Sequence, residues 1–257
     1  MKSFTICFFL LTWFSQILIA QVGNKSSYSD IFISIGYINS NPSDIRNIYN
    51  DILGYYQYYG IPIHNQTDFG KTLSFGAGII ASRVAKLQAG VELSYYFSSA
   101  YAGYKDYAGT LNVDGSIKSY QASLLLQYIL FQKKYFSFFV RLEPGWAYTT
   151  FIINEKLNYT EMPQFNYNYT LKAHGGNPCA EATCGISIPV SHFLFSFIIG
   201  YRYFNISNPE GSWQPDEAES SWRGNRYFSQ DIDGTKKLKS DINQSGMIYS
   251  FSLGFEL

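Results

Sequence analysis

Ser245-Gly-Met-Ile-Tyr-Ser-Phe-Ser-Leu-Gly-Phe-Glu-Leu257 is the stretch whose reading decides the fold. From Met247 every second residue is large and apolar: Met247, Tyr249, Phe251, Leu253, Phe255 and Leu257. Between them, from Ser250 onward, stand Ser250, Ser252, Gly254 and Glu256, all small or polar. A period of two is a strand with one face in oil and the other in a different medium. About 9–11 residues of such a strand cross a bilayer at the usual tilt, and this segment is long enough.

Working outward, seven earlier segments alternate in the same way: Tyr28–Ile38, Lys71–Ala81, Lys86–Phe97, Ser116–Phe131, Tyr135–Ile152, Pro178–Ile188 and Phe193–Ile206. Pro144-Gly145 inside the fifth predicts a bulge, because proline cannot donate to a ladder. The connections alternate in length. Ser82–Ala85, Gln132–Lys134 and Pro189–His192 are tight turns, whereas Asn39–Gly70, Ser99–Gly115, Asn154–Asn177 and Ser207–Ser240 run to 32, 17, 24 and 34 residues. Short turns at one rim and long loops at the other describe an all-β, eight-stranded antiparallel up-and-down transmembrane barrel. An even strand number closes the sheet and leaves no unpaired edge in hydrocarbon. Phe165-Asn-Tyr-Asn-Tyr-Thr-Leu171 also alternates and is read as a hairpin above the membrane.

The N-terminus fits export to such a membrane. Lys2, an apolar run from Phe4 through Ala20 and a small residue before Gln21 are the parts of a secretory signal peptide, so residues 1–20 are expected to be removed and residues 21–257 to form one barrel domain. Removal takes Lys2 and no acid from 19 basic and 19 acidic residues, leaving a formal charge of −1 and no basic face for nucleic acid. Charged residues make up 15% of the chain, well under the roughly 25% of soluble domains. Aromatics reach 19%, a supply that two interfacial girdles would consume. After the signal no run of 18 apolar residues occurs, which excludes helical spans. Cys179 and Cys184 sit five apart in a strand, on opposite faces and too distant for a disulfide.

The first long loop holds a short helix. Ile45, Ile48, Tyr49, Ile52, Leu53 and Tyr56 form a single stripe, with Asn41 as the expected cap, Pro42 in the first position and Asp44 against the N-terminal dipole. That stripe predicts a lid over the barrel mouth.

These features together resemble the small outer-membrane barrels of the OmpA/OmpX-like family. The resemblance rests on the signal peptide, the eight alternating segments, Gly200-Tyr-Arg-Tyr-Phe204 and the closing Tyr249-Ser-Phe-Ser-Leu-Gly-Phe255. Members usually end on an aromatic residue, whereas here Glu256-Leu257 follow Phe255. The resemblance implies a monomer in the cell outer membrane, inserted by the barrel assembly machinery and in contact with outer-membrane lipids and lipopolysaccharide. Functions within the family are too varied to carry over.

Candidate functional residues come from the face assignment. Glu92, Arg141, Glu143, Glu181 and Arg202 all share the face of the small polar residues, so they are expected to form an ion network that fills the lumen. The expected function is therefore a structural or surface-interaction barrel, with a narrow channel or transporter for small solutes as the alternative. Trp213, Trp222, Arg223, Arg226 and Tyr227 in the fourth long loop are the candidate surface contact, since tryptophan and arginine dominate binding hot spots. Lys236, Lys237 and Lys239 could meet outer-leaflet phosphates. A lipid-modifying barrel enzyme is the remaining class. It would need a histidine beside a nucleophile, and His64, His174 and His192 lie in loops or turns, so no catalytic activity and no cofactor are expected. Asp231-Ile-Asp-Gly-Thr235 begins like a calcium loop, but its glycine comes too early and no acid closes it, so no metal is expected either.

Overall fold

The computed structural model describes residues 30–63, 67, 69–84, 86–214, 227–230 and 236–256. The expected signal peptide, His64, Trp222, Arg223, Arg226 and Asp231-Ile-Asp-Gly-Thr235 lie outside the described residues.

In chain order the elements are β1 (Asp30–Ser40), α1 (Ser43–Tyr58), β2 (Thr72–Val84), β3 (Leu87–Lys105), β4 (Gly109–Gln132), β5 (Ser137–Tyr159), a 3-10 turn (Pro163–Phe165) and β6 (Tyr167–Val190). There follow β7 (Phe193–Tyr203), β8 (Asn205–Ile206), β9 (Glu210–Gln214), β10 (Phe228–Gln230), β11 (Lys236–Leu238), β12 (Ile242–Asn243) and β13 (Gly246–Glu256). Consecutive strands β1 to β7 pair antiparallel, and β13 pairs with both β7 and β1. The ring of eight is closed. Its seal joins Asp30–Ser40 to Gly246–Glu256 over eleven residue pairs without a register break.

Four strands are much longer than their apolar alternation suggested. β3, β4, β5 and β6 run to 19, 24, 23 and 24 residues. Most of the two loops expected at Ser99–Gly115 and Asn154–Asn177 is strand, paired as Ala100↔Gly115 to Lys105↔Thr110 and as Asn154↔Thr170 to Leu157↔Tyr167. The Phe165–Leu171 stretch makes no ninth crossing; from Tyr167 it is the start of β6, closing a hairpin with the end of β5 through Ile153↔Leu171 to Leu157↔Tyr167. Pro144-Gly145 causes no bulge, since the β5–β6 register runs unbroken through Pro144↔Ala180. Register shifts fall instead at Ile80/Ser82 and Ile129/Phe131, beside the short turns. The two-residue turn between β6 and β7 places Ser191 at φ 57°, a left-handed position that a tight reversal demands.

Above the ring the wall is rebuilt from other pieces. β6 leaves β7 and pairs with β9 (Thr170↔Gln214 to His174↔Glu210), and β9 continues through β11 to β10. β8 and β12 continue the β7–β13 register after an interruption at Phe204 and Gln244. The gap on the other side is filled by the first loop. Thr67 N–H donates to Tyr101 O at 2.7 Å and Tyr101 N–H returns to Thr67 Oγ1 at 2.8 Å, stitching that loop to the free edge of β3.

Helix α1 spans 16 residues, and its stripe Ile45, Ile48, Tyr49, Ile52, Leu53 and Tyr56 is wholly buried, as the spacing predicted. Its cap differs from expectation: Pro42 itself occupies the N-cap, no side chain caps the helix, and Asn41 contributes only its carbonyl, to Ser43 N–H at 2.8 Å.

Candidate functional site

The lumen is built by side chains of one parity on each strand, stacked in layers. On β4 the inward set from the short-turn end is Ile129, Gln127, Leu125, Ser123, Gln121 and Ser119. On β5 it is Phe139, Arg141, Glu143, Gly145, Ala147 and Thr149. The five ionic residues expected in the lumen all lie there and all are buried, Arg202 completely.

They form two groups. In the lower one Arg141 Nη1 reaches Glu143 Oε1 at 3.6 Å and Glu92 Oε2 at 3.9 Å. Its Nε and Nη2 both donate to Gln127 Oε1, at 3.0 and 2.8 Å, and Gln127 passes its own Nε2–H to Gln88 Oε1 at 2.6 Å. Ser34 and Ser94 hydroxyls donate to Glu92 Oε1 at 3.2 and 3.1 Å. In the upper group Arg202 Nε lies 3.4 Å from Glu181 Oε1, which also accepts from Tyr96 Oη at 2.6 Å and Gln121 Nε2 at 3.0 Å. Arg202 Nε and Nη2 both donate to Gln121 Oε1, at 3.2 and 3.0 Å.

Two features of this network go beyond what the residue pattern predicts. The two-pronged pairing of each arginine goes to a glutamine carbonyl rather than a carboxylate. The flat guanidinium faces are covered by rings: Arg202 lies 3.8 Å over Tyr96 and 4.9 Å from Phe204, and Arg141 lies 5.5 and 5.3 Å from Phe32 and Phe139. Such stacking suits a desolvated guanidinium. Gln88 and Tyr96 carried a usable signal in sharing the parity of Glu92 on β3, and Gln121 and Gln127 in sharing that of Ser119 and Ser123 on the polar face of β4.

The packing leaves little room. One cavity of about 30 Å³ lies beside Glu92, Glu143, Glu181 and Thr183, and a recess of about 160 Å³ opens at the short-turn end near Gln88, Gln127 and Ser187. Above the ions a hydroxyl–amide layer spans the lumen: Ser119 bonds Thr149 at 2.6 Å and donates to Gln244, and Ser40 pairs with Thr72 at 3.0 Å.

Above that layer the inside becomes apolar. Leu111, Val113, Ile117, Phe151, Ile153, Leu157, Leu171 and Ala173 join the six stripe residues of α1 in one buried cluster. Phe69 enters it over Gly115, where any Cβ would collide with the ring, and packs edge-on to Tyr49 and Phe151. Tyr49 Oη donates to Val113 O at 3.1 Å, and Tyr56 Oη donates to the buried Glu155 at 2.5 Å. Burial, with the Glu155 carboxylate beside it, holds the Tyr56 hydroxyl well above the usual phenol range.

Of the candidate surface contacts, the two described ones, Trp213 and Tyr227, fall elsewhere than expected. Trp213 is fully buried and stacks on the buried Tyr227 at 5.9 Å; both belong to the apolar cluster and face inward, and Tyr227 Oη donates to Asp51 at 2.9 Å. Among the described aromatics of the cap, Tyr58 and Tyr59 at the end of α1 and Tyr107 in the β3–β4 turn reach out, 84%, 64% and 88% exposed. His174 faces outward 3.8 Å from Glu210, and His192 lies against the Phe255 ring in the β6–β7 turn. Cys179 is buried and Cys184 exposed, which puts the two thiols on opposite faces of β6. Lys236 and Lys237 lie on β11, with Lys237 opposite Glu210.

No family model and no curated protein matches the chain. Among solved structures it is similar to the outer membrane protein OprG from Pseudomonas aeruginosa, with 17% identity and a TM-score of 0.48 over 91% of this chain and 98% of that one. It is also similar to Ail, the attachment invasion locus protein of Yersinia pestis, with 11% identity and a TM-score of 0.38 over 91% and 100%. A second Ail structure, in complex with the heparin analogue sucrose octasulfate, gives 11% and 0.39 over the same shares. The closed ring of strand pairings carries the fold on its own.

Proposed function

We propose that the chain is an integral outer-membrane β-barrel with a side-chain-filled lumen, acting at the cell surface through the folded cap at its long-loop end. One observation carries this reading: the outward face of the ring is an uninterrupted apolar belt bounded by two rows of rings. On β4 the belt runs from Tyr120 to Leu130, eleven residues or ten steps, which at about 3.3 Å a step and a 35–45° tilt is roughly 25 Å, the height of a barrel's lipid-facing band. Outward residues in it are as exposed as Ile33 (59%) and Leu93 (67%). Tyr37 with Tyr249 and Tyr95 with Tyr120 mark the upper edge; Phe131 with Phe136 and Phe193 with Phe255 mark the lower. Water would not tolerate that surface on a monomer.

Two stacked ion groups, a hydroxyl–amide layer and a helix-filled apolar cap support a plug rather than an ion path. The exposed Tyr58, Tyr59 and Tyr107 are the surface offered to a partner. The test has two arms. Planar-bilayer recordings of the refolded protein should show no reproducible openings, and steady conductance would return the channel reading. Protease added to intact cells should cut near Tyr107 or Met162 and spare the turn at Ser191-His192; cuts at that turn would invert the topology.

A further inference from the structure

The ionic middle of the lumen does not balance. Glu92, Glu143 and Glu181 face Arg141 and Arg202, one negative charge in excess within a wall that excludes water. Hydrogen-bond donors are shared unequally among the three acids. Glu181 takes Tyr96, Gln121 and Arg202; Glu92 takes Ser34, Ser94 and Arg141. Glu143 has only the Arg141 guanidinium, at 3.6 Å, and it shares that same Nη1 with Glu92 at 3.9 Å, the two acids lining one small cavity. It also stands directly opposite Glu181 in the β5–β6 ladder, where like charges repel. Two buried carboxyl groups that share one guanidinium nitrogen, with a third acid opposite, favour a proton on one of them.

A second observation comes from the cavity of about 30 Å³ that Glu92, Glu143 and Glu181 line. Thr183, more than nine-tenths buried, faces the same cavity, and its hydroxyl has no partner among the described residues. The site therefore ends in an open hydrogen-bonding group.

We propose that the Glu92–Glu143 pair is a proton-binding site in the lumen, with Glu143 as the protonated acid and Glu92 as the charged one that Arg141 holds. The proton brings the three acids and two guanidinium groups to neutrality. The titratable groups facing the pair are Arg141 from β5, Tyr96 from β3, Glu181 from β6 and Arg202 from β7; what β1, β2 and β13 bring, Ser34, Ser74 and Ser250 among them, does not titrate.

Infrared spectroscopy of the folded barrel in lipid at neutral pH reads this directly. The wild type should show a protonated-carboxyl C=O stretch that disappears in Glu143→Gln and persists in Glu155→Gln, the buried acid of the cap. Should Glu143→Gln not fold, Glu92→Gln gives the same answer: with a neutral partner and Arg141 still adjacent, Glu143 ionises and the stretch is lost. A wild type without the stretch, or a stretch that survives in these lumen variants, overturns the proposal. So does an unfolding midpoint that rises with sodium at constant ionic strength in a protein lacking the stretch, because a monovalent cation would then supply the charge.

Discussion

The ring and the cap are built from the same strands with opposite polarity. On β4, Tyr120, Leu124, Leu126 and Tyr128 point out and Ser119, Gln121, Ser123 and Gln127 point in. A few residues higher, Leu111, Val113 and Ile117 point in, and Asn112, Asp114 and Lys118 point out. β5 does the same: Val140 and Leu142 are outward below, Phe151 and Ile153 inward above, with Asn154 and Lys156 outward beside them. Between these two levels the backbone alternation does not slip. What changes is the medium outside the wall, so the apolar face turns to whichever side is dry. The cap is a small water-soluble core standing on a membrane barrel.

The sharpest way to break that comparison is to disturb the dry interior of the ring. Arg202 is fully buried against Glu181, and Arg202→Met leaves that carboxylate without its partner. The expected loss is about 3–5 kcal/mol in guanidinium unfolding from lipid, because a buried charge is left unpaired. A loss below about 1 kcal/mol would mean that water reaches the lumen.

The cap should fail separately. Ile52 is buried in the cluster that α1 shares with the upper wall, so Ile52→Ala should cost about 2–5 kcal/mol. That cost should appear as faster amide exchange across Ser43–Tyr58, while the barrel's own unfolding midpoint stays put. If both move together, cap and ring are one cooperative unit.

A single substitution type, read at two heights, tests the inversion on the outer wall. Val91→Arg, midway between the two rows of rings on β3, should cost about 2–4 kcal/mol in lipid. Asn112→Arg, outward on β4 above the upper row of rings, should change stability by less than about 0.5 kcal/mol. Equal costs would move the edge of the hydrocarbon up the wall.

The same inversion explains what the sequence could show. Eight strands, their faces and the closure by β13 were legible, because apolar-out alternation over ten residues is a strong periodic signal. The strand extensions were not. In β4 the apolar residues shift from odd positions (Leu111, Val113, Ile117) to even ones (Tyr120, Leu124, Leu126), and in β6 from Leu171 and Ala173 to Ala180 and Ala182. A one-residue phase change looks like the end of a strand, and register logic reads it so. The lumen ions were legible because a charge in phase with serines and glycines can only face inward. Their uncharged partners were not singled out, since glutamine on a polar face is unremarkable until an arginine is seen opposite. The fourth loop misled for a related reason: Trp213 and Tyr227 stand in a polar context in sequence, and only the β6–β9–β11–β10 pairing shows that they face a core.

The smallest expected effect lies at the tip of the cap, in the β3–β4 turn. Asp106 Oδ2 accepts from Tyr104 Oη at 2.5 Å, and Oδ1 accepts the backbone N–H groups of Ala108 and Gly109 at 2.8 and 3.0 Å. The Tyr104 hydroxyl first, and then these two amides, hold the Asp106 carboxyl below the usual range. A depressed carboxyl stabilises the turn fully at pH above its unfolded value of about 3.9, and the contribution disappears as pH falls through the lower folded value. Protection of the Ala108 and Gly109 amides against exchange should therefore be flat from neutral pH down to about 4 and decline below it. Asp106→Asn retains a carbonyl to accept both amides but cannot titrate, so it should abolish the decline. Because the turn belongs to the wet exterior of the cap, neither change should alter the ring's unfolding midpoint, and a shift there would tie the two regions together more tightly than their opposite polarity implies.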